Sequence, residues 1–281
     1  MPKLRSLGFE TDLFLARIGG EVHWRDRYVV VSTPSNPDFW WGNFLIYPEP
    51  PEESSANDDG EGSWLADHRR ELSHAGATLL AWDRPDGARG AAEAFARAGF
   101  EIDESSILTA CRGEIDEPRI WNDDVRVAPL ASDRDWAAAM RAQTNAFAAR
   151  RSGSLDDLAR FVERQHAIYR AMQERGTGRW WGAWIGPELA GSLGLVRVAR
   201  DGEERPSLGR FQLVGVDPRF GRQGVCSRLV HDVAKRALEE EGLSTLVMAA
   251  DANYHAARVY EAVGFRRTEH LVAVIRKRPR A

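Results

Sequence analysis

The stretch Val214–Val230, VGVDPRFGRQGVCSRLV, decides the fold. It continues the β-branched and aromatic run RFQLVGVDP, breaks at Pro218, and passes into a segment where Leu229, Val230, Val233, Ala237 and Leu238 recur at helical spacing. A strand, a glycine-containing turn and a helix start therefore follow one another directly. Consecutive backbone N–H groups at such a helix start carry partial positive charge, and Gly221 and Gly224 remove Cβ atoms that would hold a ligand away. The turn suits a phosphate or pyrophosphate, and Arg219, Arg222 and Arg228 add charge of the matching sign. Glycine also occurs at strand-to-helix joints for steric reasons alone, so the turn by itself leaves ligand binding open.

Downstream, LSTLVMAAD (Leu243–Asp251) reads as a strand and NYHAARVYEAVG (Asn253–Gly264) as a helix, followed by the strand-forming FRRTEHLVAVIRKR. Asn253 is placed as a helix cap, and Tyr260, seven residues on, falls on nearly the same helix face. Upstream, VRVAPL reads as a strand, helices are expected over about 133–149 and 155–174, and RWWGAWIG, ELAGSLGLVRVAR and RFQLVGVDP form a meander. The N-terminal half has strands at Arg27–Pro34 and Phe39–Pro48, helices over Ser63–Gly76 and about 88–98, and a buried strand at Ala77–Asp83. Between them Glu49–Gly62 has six acidic and no basic residues, which predicts a mobile loop; Glu117–Asp124 reads as a linker. AAEAFARAGF (Ala91–Phe100) aligns without gaps with AARVYEAVGF (Ala256–Phe265), with four identities and the same elements on either side. The chain is expected to be a duplicated α/β (α+β) unit, one copy at residues 1–120 and one at 121–281.

At 281 residues, the length also favours two domains. Apolar residues make up 43% and charged residues 28%, which excludes a disordered or fibrous chain. No uncharged apolar run is long enough to span a bilayer, and acidic residues interrupt the N-terminus where a secretory signal is apolar, so a cytoplasmic location with no membrane partner is expected. Cys111 and Cys226 lack metal-type spacing, so neither a zinc cluster nor a disulfide framework is supported. The first 120 residues hold 12 Lys+Arg against 22 Asp+Glu, a net of −10, and the remainder carries +6. A positive field concentrates anionic ligands and a negative one amines. The positive half has no basic run interleaved with aromatics, so nucleic acid is not an expected partner.

The paired segments Val214–Val230 and Asn253–Phe265 resemble the GNAT superfamily of N-acetyltransferases, whose motif is a strand ending V-x-P, then Q/R-x-x-G-x-G/A and a helix. Here Gly221 stands at the first motif position and Cys226 at the last. The resemblance implies two tandem GNAT-like units, each a mixed, mostly antiparallel sheet flanked by helices. It implies acetyl-CoA as cosubstrate, no metal, and direct acetyl transfer to a primary amine of a small molecule or peptide, by a monomer or homodimer. The implied cofactor contacts are Val214, Gly215 and Val216 on the strand; Arg219, Gly221, Arg222, Gln223, Gly224, Val225, Cys226 and Ser227 in the turn and first helical turn; and Asn253 and Tyr260. Tyr260 would be the catalytic acid to the leaving thiolate. Gly215 is expected to mark the strand's bulge, and Gln212 lies where a general base is often carried. Glu163, His166, Glu174, Glu203 and Glu204 are the other groups considered for that role. In the N-terminal copy Phe95 replaces Tyr260 and acidic residues replace the anion turn, which implies a degenerate unit. The alternative reading is a noncatalytic acyl-CoA-binding or sensing protein.

Overall fold

The computed structural model describes residues 4–149, 155–200, 202–252 and 256–277. The chain forms two compact units: Met1–Ile107 with Ala249–Tyr254 and Thr268–Ala281, and Leu108–Met248 with His255–Arg267. Both are mixed, mostly antiparallel sheets flanked by helices.

The first unit contains α1 (Leu7–Gly19), β1 (Glu21–Trp24), β2 (Val29–Ser32), β3 (Phe44–Tyr47), α2 (Trp64–Glu71), β4 (Ala77–Trp82), α3 (Ala92–Arg97), β5 (Glu101–Cys111) and most of β11 (Arg266–Lys277). Its strands run in the order β1-β2-β3-β4-β11-β5. β3 and β4 are parallel, with Leu45 opposite Leu80, and α2 makes the crossover that parallel pairing requires. β11 is antiparallel to β4, with Ala273 opposite Ala81. Leu45, Leu80, Trp82, Phe95 and Val274 form the buried core, and Trp64 stacks on Tyr47 at 3.9 Å.

Helix α1 has no counterpart in the sequence expectations. Its free N–H groups are met by side-chain oxygens: the Glu269 carboxylate accepts from Leu7 and Gly8 at 2.7 and 3.2 Å, and the Ser6 hydroxyl accepts from Phe9. The strand expected over Phe39–Pro48 is confined to β3, because Trp40–Gly42 form a 3-10 turn. Asn43 holds that turn, donating to the carbonyls of Asn36 and Phe39, both at 3.0 Å. The acidic segment Glu49–Gly62, expected to be mobile, is docked. Glu49 pairs with Arg5 and Arg84 at 2.6 and 2.9 Å, Glu53 pairs with Arg97, and Ala56 is buried.

The second unit contains β6 (Val125–Pro129), α4 (Asp133–Ala148), α5 (Leu155–Glu174), β7 (Gly178–Ile185), β8 (Glu188–Val198), β9 (Leu208–Val216), α6 (Val225–Glu239), the start of β10 (Thr245–Asp251) and α7 (Ala256–Glu261). The order is β10-β9-β8-β7-β6, antiparallel except for the β9–β10 pair. Ser132 starts α4 with a reciprocal capping box to Asp135. The buried face of α6 carries Leu229, Val230, Val233, Ala237 and Leu238, the positions its helical spacing predicts.

Candidate functional site

The site is built where β9 leaves its parallel neighbour. Leu208, Gly209 and Arg210 register with Thr245, Leu246 and Val247, and β9 then continues through Phe211–Val216 without a further β10 partner in that register. On its other edge, Leu213 and Val214 together face Leu193, between the pairs Gln212–Gly194 and Gly215–Ser192. Leu213 takes a left-handed φ of 45°. This is a bulge, and it lies at Leu213–Val214 rather than at Gly215. Gly215 serves a different need: a Cβ there would lie 2.7 Å from Oε1 of Gln143, which is buried on α4.

Beyond β9 the chain is anchored by Asp217, whose side chain is 2% exposed. Its carboxylate accepts from Asn145 Nδ2 at 2.7 Å and from the Arg219 backbone N–H at 3.0 Å. Burial pushes the Asp217 carboxyl up, but the hydrogen bonds from Arg219 and Asn145 outweigh it and hold the pKa below the ordinary carboxylate value. The Arg219 guanidinium is divided between Asp217 and Glu188, so it braces the turn.

The turn itself is left-handed at Arg222 (φ 61°) and Gly224 (φ 75°), whereas Gly221 has an ordinary φ of −63° and gives its N–H to the Pro218 carbonyl at 3.1 Å. Gly224 is the N-cap of α6 and supplies no side-chain cap. The first turn of α6 thus starts without a side-chain cap over its N–H groups, while the Ser227 hydroxyl donates to the Gly224 carbonyl at 3.1 Å. Val225 is buried and Cys226 half-buried, so neither presents a large side chain over these donors. The arrangement can hold an oxyanion through backbone groups alone.

Val214, Gly215 and Val216 lead directly into the turn, with Gly215 buried and Val214 and Val216 half-buried. Tyr260 lies buried on α7, its carbonyl accepting from the N–H groups of Val263 and Phe265. Phe265 meets Phe211 of β9 edge-on at 5.8 Å, which ties the end of that helix segment to the strand. Asn253 lies outside the described residues.

Among the groups considered as bases, Glu163, Glu174 and Glu204 are exposed, and Glu203 is occupied by Ser207 and the Arg200 N–H. His166 is buried beside Trp136 and Tyr169, and burial lowers its pKa to about 4. An imidazole that weak does not retain a proton taken from an amine of pKa about 10. Asn145 and Gln143 were not predictable from local sequence, because their role comes only from the packing of α4 on β9.

Residues 147–265 match the model of the acetyltransferase (GNAT) family. This part of the chain is a GNAT acetyltransferase domain. The domain's family chemistry is acyl transfer. No curated protein sequence matches the chain. A functionally unknown conserved protein from Staphylococcus epidermidis has a similar structure, with TM-score 0.70, 16% identity, and 93% of this chain and 95% of that one covered. A GCN5-related N-acetyltransferase from Kribbella flavida gives TM-score 0.63 at 14% identity, covering 100% and 98%. A tandem GNAT protein from the clavulanic acid biosynthesis pathway gives TM-score 0.50 at 13% identity, covering 77% and 70%. At these identities the likeness is one of fold. Among the described residues, no cluster of three or more His, Cys, Asp or Glu side chains is placed to hold a metal, and no helix is long and apolar enough to cross a membrane.

Proposed function

We propose that the GNAT domain is an acetyl-CoA-dependent N-acetyltransferase acting on a primary amine of a small molecule or peptide. The observation that carries this reading is the α6 N-terminus, left without a side-chain cap behind the left-handed Arg222 and Gly224 and at the end of the bulged strand β9. These residues fit the phosphates of the cosubstrate through N–H groups of the turn and of Val225, Cys226 and Ser227, and β9 beyond Phe211 offers backbone groups to an extended pantetheine arm. Acetyl-CoA supplies the activated thioester. A backbone N–H in Val214–Val216 would stabilise the oxyanion, Tyr260 would give its proton to the leaving sulfur, and Asn253 would bind beside it.

On this reading the chain is a tandem protein whose N-terminal unit lacks its own nucleotide turn. Phe95 stands where Tyr260 stands, and the loop before α2 carries Glu49, Glu52 and Glu53. The second reading, a noncatalytic acyl-CoA sensor, is favoured by Gln212 at the centre of β9, where a carboxylate would serve as base.

Release of free CoA from acetyl-CoA with a panel of amines, measured for the wild type and Tyr260→Phe, separates the two. The enzyme reading expects turnover on at least one amine, reduced about 100-fold in the variant. CoA binding without turnover on any amine would favour the sensor.

A further inference from the structure

The segment Glu117–Asp124 has the composition of a linker, yet its centre is laid on the anion turn. Asn122 Nδ2 donates to the Gln223 carbonyl at 2.7 Å, and Arg228 donates to the Asn122 carbonyl at 3.3 Å. Asn122 Oδ1 accepts the Asp124 N–H at 2.9 Å, which orients the amide so that its Nδ2 faces Gln223. The Arg228 guanidinium lies over the Trp121 ring at 3.9 Å and is held by Asp232 at 2.8 Å. Trp121 also meets His231 edge-on at 5.2 Å. A Cβ on Gly224 would come within 2.9 Å of the Ile120 carbonyl. Ile120 and Trp121 remain 61% and 39% exposed, so core packing does not account for large apolar side chains here.

Gln223 stands between two left-handed residues, and Arg222 adopts that conformation against the preference of any residue with a Cβ. A trans peptide sets its carbonyl and its N–H in opposite directions. Holding the Gln223 carbonyl on Asn122 therefore fixes the Gly224 N–H on the side away from the segment. Arg228, with its charge matched by Asp232 and its plane stacked on Trp121, is a strut between this segment and α6.

We infer that Trp121 and Asn122 are positioning residues for the nucleotide turn, so that residues outside the family's motif set the affinity for acyl-CoA. This rests on the acyl-CoA reading of the site. Calorimetric titration of CoA into the full chain tests it with Asn122→Ala, Asn122→Asp, Trp121→Leu and Trp121→Phe. Asn122→Asp keeps the acceptor for Asp124, removes the donor to Gln223 and adds a negative charge beside the turn, so Asn122→Ala is the variant that removes the donor without adding charge. Asn122→Ala, Asn122→Asp and Trp121→Leu are each expected to raise the CoA Kd about tenfold. Trp121→Phe keeps a ring face for Arg228 and is expected to restore most of the affinity, which loss of stability alone would not produce. Wild-type binding with unchanged Kd in the alanine, aspartate and leucine variants overturns the positioning role alone. Failure of the wild type to bind CoA overturns the acyl-CoA reading and this inference with it.

Discussion

His166 lies on α5 with its Nδ1 buried and without a hydrogen-bond partner, between the rings of Trp136 and Tyr169. With no acceptor there, protonation places an uncompensated charge in an apolar setting, and desolvation brings the pKa down to about 4. In the unfolded chain the imidazole titrates near its ordinary value of about 6.5. Between those values the unfolded state binds the extra proton, so the stability is fully present above about pH 6.5 and is lost as pH falls toward 4. Taking the wild type from pH 7.5 to pH 5 is expected to cost about 2 kcal/mol more than the same change costs His166→Phe. Urea denaturation of both proteins at the two pH values measures the difference, and parallel losses would show that His166 titrates alike in the folded and unfolded chain, so that burial does not depress its pKa. Single residues also show what the repeat leaves unsaid. Gly99 and Gly264 align in the sequence and both are left-handed, at φ 84° and 106°. At Gly99 nothing lies near a Cβ, whereas at Gly264 it would stand 1.8 Å from the Glu114 carbonyl. The alignment shows the shared turn, and only the packed chain shows the second constraint on Gly264.

The β9–turn–α6 element is legible in the sequence because its signals are local: a β-branched run, a proline, glycines and a helical apolar stripe. Helix α1 is not, because its buried face includes Gly8 and Thr11 and its N–H donors are satisfied by Glu269, far away along the chain. The bulge is misplaced for a related reason. Glycine is the usual mark of a bulge, but Leu213 carries the left-handed φ, while Gly215 gives space to Gln143 from α4. For the turn, Gly224 combines a left-handed φ with a neighbour 2.9 Å from its Cβ position. Gly224→Val is expected to turn the helix start away from its present geometry and weaken CoA binding about 100-fold, with the far-UV spectrum of the rest of the chain retained. Calorimetry gives the affinity; an unchanged Kd would remove the turn as the anion site under the enzyme and sensor readings alike.

At the scale of the whole molecule, the charge division near residue 120 is plain in the sequence, but it does not describe how the sheets are completed. The first unit takes residues Thr268–Ala281 from the far end of the chain, and β11 stands between β4 and β5 in its strand order. Ala273, Val274 and Ile275 pair with Ala81, Leu80 and Leu79, all buried, and Glu269 caps α1. The acidic surplus of this unit is also less free than composition indicates, since Glu49 and Glu53 are held by arginines. A fragment of residues 1–120 therefore has strands β4 and β5 with no strand between them, and its helix α1 has lost a carboxylate cap. Unpaired strand edges of that kind are aggregation-prone, and the missing core residue Val274 leaves Leu80 and Trp82 partly uncovered. The fragment is expected to lack a cooperative melting transition in circular dichroism and to associate at micromolar concentration. Adding a peptide of residues 266–277 should restore strand signal and a transition in proportion to its occupancy, because the peptide supplies the same pairing in trans. A monomeric 1–120 fragment that melts cooperatively on its own would show that β4 and β5 can close on each other, and that β11 is an accessory strand rather than part of the first unit's core.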